Sequence, residues 1–476
     1  MRHFTLTLLL TFFISAAVAQ DNIKNYDEAF TLIEVWLEAQ KDFDHLPGLS
    51  AIVIEDQKVL WSGGVGLSNT EKNVKTTDST LGSICSISKL FTSVAIMKLY
   101  DEGKLRLDDR IEDLLPAYNL KQQFPESGPI TIRSLMTHSS GLPRESAHPY
   151  WTGPDFPFPT KENVDATLKD QETLYPASTY YQYSNLGLTL LGEVVEELSG
   201  VSFEEYVEEN ILIPLGLSST RPYMPEALYG KELAIGYTAM TRAGSREKVN
   251  FFQANGITPA AGFSSNVVDL GKFASWQFRL RDTTITEILK PSTLKDMHRV
   301  HWTNPDWDGT WGLGFAVYKD AKGNTRVGHG GSCPGYRSTL QLDLKNKRAY
   351  SVIINASGTN PGSYATGIES ILSKVEEIKK DSTQETIDLT AYIGFYSWSP
   401  WWGELYVGSW NGQLVTLSLP SKEPGEAMTL YKHIEKDTFR RIRDDGELGE
   451  TMTFERGVNG EIIHLKRHDN YSKKIK

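Results

Sequence analysis

The sequence predicts an α+β protein, a single antiparallel sheet packed against a helical region, followed by a small C-terminal all-β domain with barrel character. Three observations point there. Strand-like runs fall at both ends of residues 20–378, the stretch between them reads as helices and long loops, and residues 387–476 are short β runs punctuated by hairpin-turn dipeptides.

Each element follows from its local pattern. Residues 26–43 carry apolar side chains at helical spacing, and residues 49–55 and 59–66 flank the polar Asp56-Gln57-Lys58 as a two-stranded hairpin. From Ser86 to Tyr100, apolar Ile87, Leu90, Phe91, Val94 and Ala95 recur at helical spacing and Gly103 stops the run, which predicts a buried helix beginning at Ser86. Residues 151–160 are a polar, proline-rich loop, and a helix over 186–198 closes at Gly200. Residues 326–330, 338–343 and 348–355 read as successive strands, followed by a helix over 364–378. The charged, non-periodic stretch 379–386 suits a linker. Beyond it, Asn411-Gly412, Asp445-Gly446 and Asn459-Gly460 are turn dipeptides between β runs such as 414–417, 451–454 and 462–465.

Composition narrows the function. Residues 1–19 combine Arg2, an apolar run from Leu6 to Val18 and the small residues Ala17-Val18-Ala19, the layout of a secretory signal peptide. The run is shorter than the roughly 20 residues that span a bilayer, so a periplasmic or secreted protein with no stable membrane anchor after cleavage is expected. The formal charge is −11 and its acidic residues are dispersed, which argues against nucleic acid or an anionic membrane surface as partner. Two cysteines, Cys85 and Cys333, provide neither a zinc cluster nor a disulfide-dense scaffold, and nothing calls for a metal or cofactor. Trp398, Trp401, Trp402 and Trp410 of the C-terminal domain could stack on sugars or serve as packing. The sequence carries no signal of oligomeric state.

Three short motifs carry chemistry. Ser86-Ile87-Ser88-Lys89 is S-x-x-K, in which one helical turn brings an amine beside a hydroxyl so that the amine can help remove its proton. The same spacing recurs at Ser245/Lys248 and Ser292/Lys295, but only Ser86 opens a strongly apolar helix. Tyr183-Ser184-Asn185 precedes a helix; a tyrosine near a lysine cation can have a lowered pKa and act as a base, and the asparagine amide can both donate and accept toward a substrate. Gly328-His329-Gly330-Gly331 enters a strand, where small residues let a backbone approach a substrate and the imidazole supplies a donor.

Together, in this order, the motifs resemble the three signatures of the serine β-lactamase and penicillin-binding-protein superfamily, especially its class C, esterase and D-aminopeptidase branch, in which Y-x-N replaces S-x-N and H-x-G can replace K-T-G. The stretches Thr137-His138-Ser139-Ser140-Gly141-Leu142-Pro143 and Pro259-Ala260-Ala261-Gly262-Phe263-Ser264-Ser265 also resemble that branch, over roughly residues 26–376. The resemblance implies that Ser86 is the nucleophile of an acyl-enzyme and that Lys89 and Tyr183 handle its proton. Asn185, His329 and Gly331 would contact substrate, and the backbone N–H groups of Ser86 and Ser332 would form the oxyanion hole. It also places Cys85, next to the nucleophile, near Cys333, just past the strand motif. A similar cysteine pair occurs in some class A carbapenemases, and export to an oxidising compartment favours a disulfide.

The expected partner is a small-molecule or short-peptide substrate. A lysine in the strand motif would offer a fixed cation to the carboxylate of β-lactams and peptidoglycan termini; His329 is mostly neutral near pH 7, which favours esters, amides or peptides lacking that carboxylate. A D-amino-acid peptidase, a DD-carboxypeptidase, a β-lactamase proper and a non-catalytic binder of β-lactams or peptidoglycan fragments stay open as alternatives.

Overall fold

The computed structural model describes residues 26–307, 309–377, 387–400 and 403–476. The expected leader (1–19) and linker (379–386) lie outside the described residues, as do Trp401, Trp402 and the last residue, Ile378, of the expected helix at 364–378.

Helix α1 (Asp27–Phe43) leads into strands β1 (Gly48–Glu55), β2 (Lys58–Asn69) and β3 (Val74–Lys75), and then helix α2 (Ser88–Asp101). Helices α3 (Asn185–Ser199) and α4 (Val267–Asp282) follow among long connections. The chain returns to the sheet with β4 (Trp302–Thr303), β5 (Thr310–Trp311), β6 (Ala316–Lys319), β7 (Thr325–Cys333), β8 (Tyr336–Asp343) and β9 (Arg348–Ile354), and then helix α5 (Pro361–Glu377). These strands form one nine-stranded sheet in the order β3-β2-β1-β9-β8-β7-β6-β5-β4, in which β1 from the first hairpin pairs antiparallel with β9 from the last, Ala51 opposite Val352. The sheet is thus assembled from both ends of the domain, as the sequence pattern required. The short strands β4, β5 and β6 were not foreseen because they are too short to show alternation, nor was the extension of β7 to Cys333, where a run of glycines hides the strand signal.

Alternation along β1 explains the two cores. Ile52 and Ile54 face the helical region with Leu90, Phe91 and Val94 of α2 and Phe273 of α4. Ala51 and Val53 face the opposite side, with Trp36 of α1 and Ile368 and Leu372 of α5. Helix α2 is buried on nearly every face, from Ser88 through Met97 and at Leu99, so it is the hub of the helical layer.

The C-terminal strands β10 (Gly394–Ser397), β11 (Glu404–Trp410), β12 (Gln413–Leu419), β13 (Met428–Glu435), β14 (Thr438–Ile442), β15 (Leu448–Arg456), β16 (Ile462–Arg467) and β17 (Asn470–Lys473) form an eight-stranded antiparallel meander in sequence order. It closes into a barrel, since Tyr396 bridges to Lys474 and the N–H of Phe395 donates to the carbonyl of Lys476 at 2.8 Å. Tyr396, Leu405, Phe439, Met452 and Leu465 fill a barrel core, while Tyr406, Trp410 and Leu417 belong to the cluster built on α1 and α5. Trp410 is therefore packing against the main domain, and Trp398 lies under the guanidinium of Arg467, 4.3 Å from its ring centroid.

Helices α1 and α5 pack closely against each other. A Cβ on Gly367 would lie 2.2 Å from the rigid Trp36 ring, so only glycine lets α5 approach. Gly367→Ala is expected to lower stability to denaturant by about 1–3 kcal/mol through overpacking, measured by the urea midpoint of the main transition.

Candidate active site

Ser86 lies on a single 3-10 turn, Cys85–Ile87, and the α-helix starts two residues later than expected, at Ser88. The reason is local: Cys85 adopts a left-handed backbone conformation (φ 51°), so the chain turns sharply before it can enter the helix. The turn is held from both sides. The Ile84 N–H donates to the carbonyl of Phe263 at 3.0 Å, and the Ile84 carbonyl accepts from Ser338 Oγ of β8 at 2.8 Å. Ser88 Oγ donates to the Cys85 carbonyl at 2.6 Å and accepts from the Phe263 N–H at 3.0 Å.

Lys89 has no exposed surface. Its Nζ lies 3.2 Å from Ser86 Oγ, 2.7 Å from Asn185 Oδ1 and 2.7 Å from the carbonyl of Ala260, so each direction open to the amine meets an oxygen. Burial pushes its pKa well below the usual lysine value, partly opposed by the charge of Glu145. The other two S-x-x-K pairs, at Ser245 and Ser292, lie on the exposed surface.

Tyr183 is brought to Ser86 by the loop before α3. Its hydroxyl hydrogen-bonds Ser86, and Lys89 Nζ lies 4.9 Å from its ring centroid. The expected lowering of its pKa does not occur. Burial of the phenol pushes it up and outweighs the lowering from Ser86 and the Arg144 cation, so Tyr183 is a protonated phenol in the resting site. His138 underlies this arrangement: its ring centroid is 4.2 Å from that of Tyr183, and its Nδ1 accepts the Ser184 N–H at 3.2 Å. The imidazole therefore carries its proton on Nε2, and burial keeps it neutral. Trp311 of β5 packs edge-on against His138 and stacks on Tyr181 at 5.6 Å, forming an aromatic wall.

Asn185, expected to orient the substrate, is held within the protein at both ends of its amide. Its Oδ1 accepts from Lys89, and its Nδ2 lies 2.9 Å from both carboxylate oxygens of Glu145, so both ends of the amide are engaged by the protein. Glu145, Arg144, Trp311 and the Ala260 carbonyl are the site groups the sequence reading missed. Ala260 does fall within a stretch singled out for its resemblance; Glu145 carries no sequence signal.

The opposite wall is β7. Past Gly328, β6 no longer pairs with β7, so the edge bearing His329, Gly331 and Ser332 is open to the cleft. His329 is nearly buried. Its Nδ1 donates to the carbonyl of Gly330 at 2.6 Å, its Nε2 has no hydrogen-bond partner, and burial drops its pKa to about 3. A Cβ on Gly331 would lie 2.3 Å from the Ile84 carbonyl, so glycine is what lets β7 come so near the Ser86 turn. Cys85 and Cys333 form a disulfide across this contact, with Cα atoms 5.6 Å apart and a sequence separation of 248.

These groups line a cleft of about 1190 Å³ that runs from Ser86, Tyr183 and Ser332 across the sheet to α5 and to Lys422, Glu423 and Glu426 of the C-terminal domain.

A family model described as Beta-lactamase matches residues 36–369. Protein flp of Staphylococcus aureus is 27% identical over 256 residues, covering 52% of this chain and 49% of its own; the chain spans about half the length of this curated relative. Among solved structures, the octameric penicillin-binding protein homologue from Pyrococcus abyssi has 26% identity and a TM-score of 0.64, covering 92% of this chain and 98% of its own. A D-stereospecific amidohydrolase from Streptomyces sp. has 23% identity and a TM-score of 0.58, covering 71% of this chain and 97% of its own, a likeness of fold.

The disulfide closes a long loop, and cross-links of this kind contribute about 2–4 kcal/mol. The double variant Cys85→Ala/Cys333→Ala is expected to lose that much in equilibrium unfolding. Thiol titration of the denatured parent should find no thiols before reduction and both after it.

Proposed function

The chain belongs to the β-lactamase family, and from that membership we propose that it is an exported serine hydrolase acting through an acyl-enzyme on a small ester, amide or peptide. The observation that carries this reading is the environment of Lys89. A neutral amine has two N–H donors and one lone pair. The carbonyl oxygens of Asn185 and Ala260, both at 2.7 Å, take the two donors and leave the lone pair on the Ser86 hydroxyl. Burial favours that neutral form.

Ser86 Oγ attacks the substrate carbonyl carbon as its proton passes to Lys89 Nζ, and the backbone N–H groups of Ser86 and Ser332 receive the oxyanion. Tyr183, a protonated phenol against Ser86, hands its proton to the leaving group and regains one from Lys89. Water then attacks the acyl group by the reverse proton path. Gly331 keeps the β7 edge close enough for Ser332 to complete the oxyanion hole.

A neutral His329 presents an uncharged wall to the substrate, which supports esters and amides without a carboxylate at that position. A D-amino-acid peptidase is the second reading, favoured by the H-x-G strand, and carboxypeptidase or lactamase activity ranks behind it. A non-catalytic binder is separated from all of these by turnover. Export rests on the leader-like residues 1–19.

A fluorophosphonate probe should label the parent on the peptide containing Ser86. Ser86→Ala should abolish both labelling and hydrolysis without loss of folding, whereas Ser245→Ala and Ser292→Ala should retain them; retained activity in Ser86→Ala would refute the assignment. Lys89→Ala and Tyr183→Phe should each cost on the order of 10² or more in kcat. A panel of short-chain esters, D-amino acid amides and a chromogenic cephalosporin identifies the substrate class; acyl-enzyme that forms but never turns over would identify a binder.

His329→Lys replaces the neutral ring with a cation and should raise kcat/KM for a carboxylate-bearing ester relative to its neutral analogue. An unchanged ratio would show that His329 does not face the substrate's carboxylate position.

A further inference from the structure

We infer that Glu145 is a positioning residue for Lys89: by accepting from Asn185 Nδ2 it fixes which end of that amide meets the lysine and so holds the amine's lone pair on Ser86. The inference rests on the assignment of Ser86 and Lys89 made above.

The two ends of a primary amide have nearly the same shape, so packing alone does not decide which end faces Lys89. Chemistry decides it. An ionised carboxylate only accepts hydrogen bonds, and both oxygens of Glu145 lie 2.9 Å from the same amide nitrogen. That end must therefore be the donor, and Oδ1 must point at Lys89. In the flipped amide, N–H groups would face the donors of the amine, and Lys89 would lose one of the two carbonyl acceptors that orient it.

Glu145 is itself held in place. Tyr150 donates its hydroxyl to Oε2, Arg144 Nε lies 3.1 Å from Oε1, and Gln171 Nε2 donates to the Glu145 carbonyl at 3.0 Å. The preceding residues are tied to the start of α3. The Arg144 carbonyl accepts the Asn185 and Leu186 N–H groups at 2.7 and 3.2 Å, and the Pro143 carbonyl accepts Ser184 Oγ at 2.7 Å. A carboxylate on this loop therefore moves with the helix that carries Asn185.

Its charge acts in the same place. The groups facing Lys89 are Glu145 and Arg144 from this loop, His138 beneath Tyr183, Tyr183 itself, and His329 from β7. Both imidazoles are neutral and the phenol is protonated, which leaves Glu145 opposing burial and Arg144 reinforcing it. Removing the negative charge lowers the lysine's pKa further. A base whose pKa falls stays neutral to lower pH, so the acid limb of acylation moves down the pH scale.

The test uses the whole chain, a short-chain p-nitrophenyl ester and fluorophosphonate titration of Ser86. Glu145→Gln keeps an acceptor for Asn185 but drops the charge; its acid limb in kcat/KM should move about 0.5–1 unit toward lower pH, with a plateau within about threefold of the parent. Glu145→Ala removes the acceptor, and its plateau kcat should fall about 10–100-fold with KM within about threefold, most of the loss being restored by glutamine. A merely structural role would lower stability and leave the limb where it is. An unmoved limb in Glu145→Gln overturns the inference and decides alone if Glu145→Ala does not fold; an unchanged kcat in a folded Glu145→Ala also overturns it. A parent not acylated at Ser86 overturns the reading of the site itself, whereas an acylated parent with indistinguishable Glu145 variants overturns this inference alone.

Discussion

A lysine amine with no access to water must find its hydrogen-bond partners within the protein, and the arrangement of the helical region follows from where those partners come from. Lys89 on α2 draws one oxygen from the turn before its own helix, one from Asn185 at the start of α3, and one from the Ala260 carbonyl. Three separated stretches of chain are thereby fixed relative to one atom. Removing any acceptor leaves a buried polar group unsatisfied, a cost of about 1–3 kcal/mol, so the constraint that shapes the chemistry also resists rearrangement of the helices. Helix α2 is itself buried on nearly every face, so the amine lies deep within the helical layer.

The opposite wall is built on a different principle. On β7 closeness matters more than polarity: Gly331 lets the strand approach the Ser86 turn, and the Cys85–Cys333 disulfide joins the two across a sequence separation of 248. The turn also accepts Ser338 Oγ from β8. The Ser86 turn is thus anchored to the helical layer on one side and to the sheet on the other.

Much of this was legible in the sequence because it rests on local patterns or specific residue types. The helix-hairpin opening, the apolar run after Ser86, the strands from residue 338 onward and the turn dipeptides of the C-terminal domain all have period or turn signatures. The three motifs converge on one cleft. What stayed hidden depends on tertiary context. Glu145 is one acidic residue among 60 until folding sets it against Asn185. The direction of the Tyr183 pKa depends on how completely the phenol is enclosed, which the neighbouring lysine alone does not reveal. The left-handed Cys85, which delays the helix to Ser88, has no propensity signature, and strands β4 to β6 are too short to show alternation.

Among the described residues, the C-terminal barrel meets the cleft through the stretch carrying Lys422, Glu423 and Glu426, while its body is seated on α1 and α5. Ser421 is gripped from α1, its carbonyl by Trp36 Nε1 at 2.8 Å and its N–H by Gln40 at 3.2 Å, and the Gly425 N–H donates to Ser370 Oγ of α5 at 3.0 Å. The far end of the cleft is consequently a separable surface. Residues there can be changed without disturbing the packing around Ser86, so the reach and charge of the cleft are adjustable at its far end independently of the Ser86 turn.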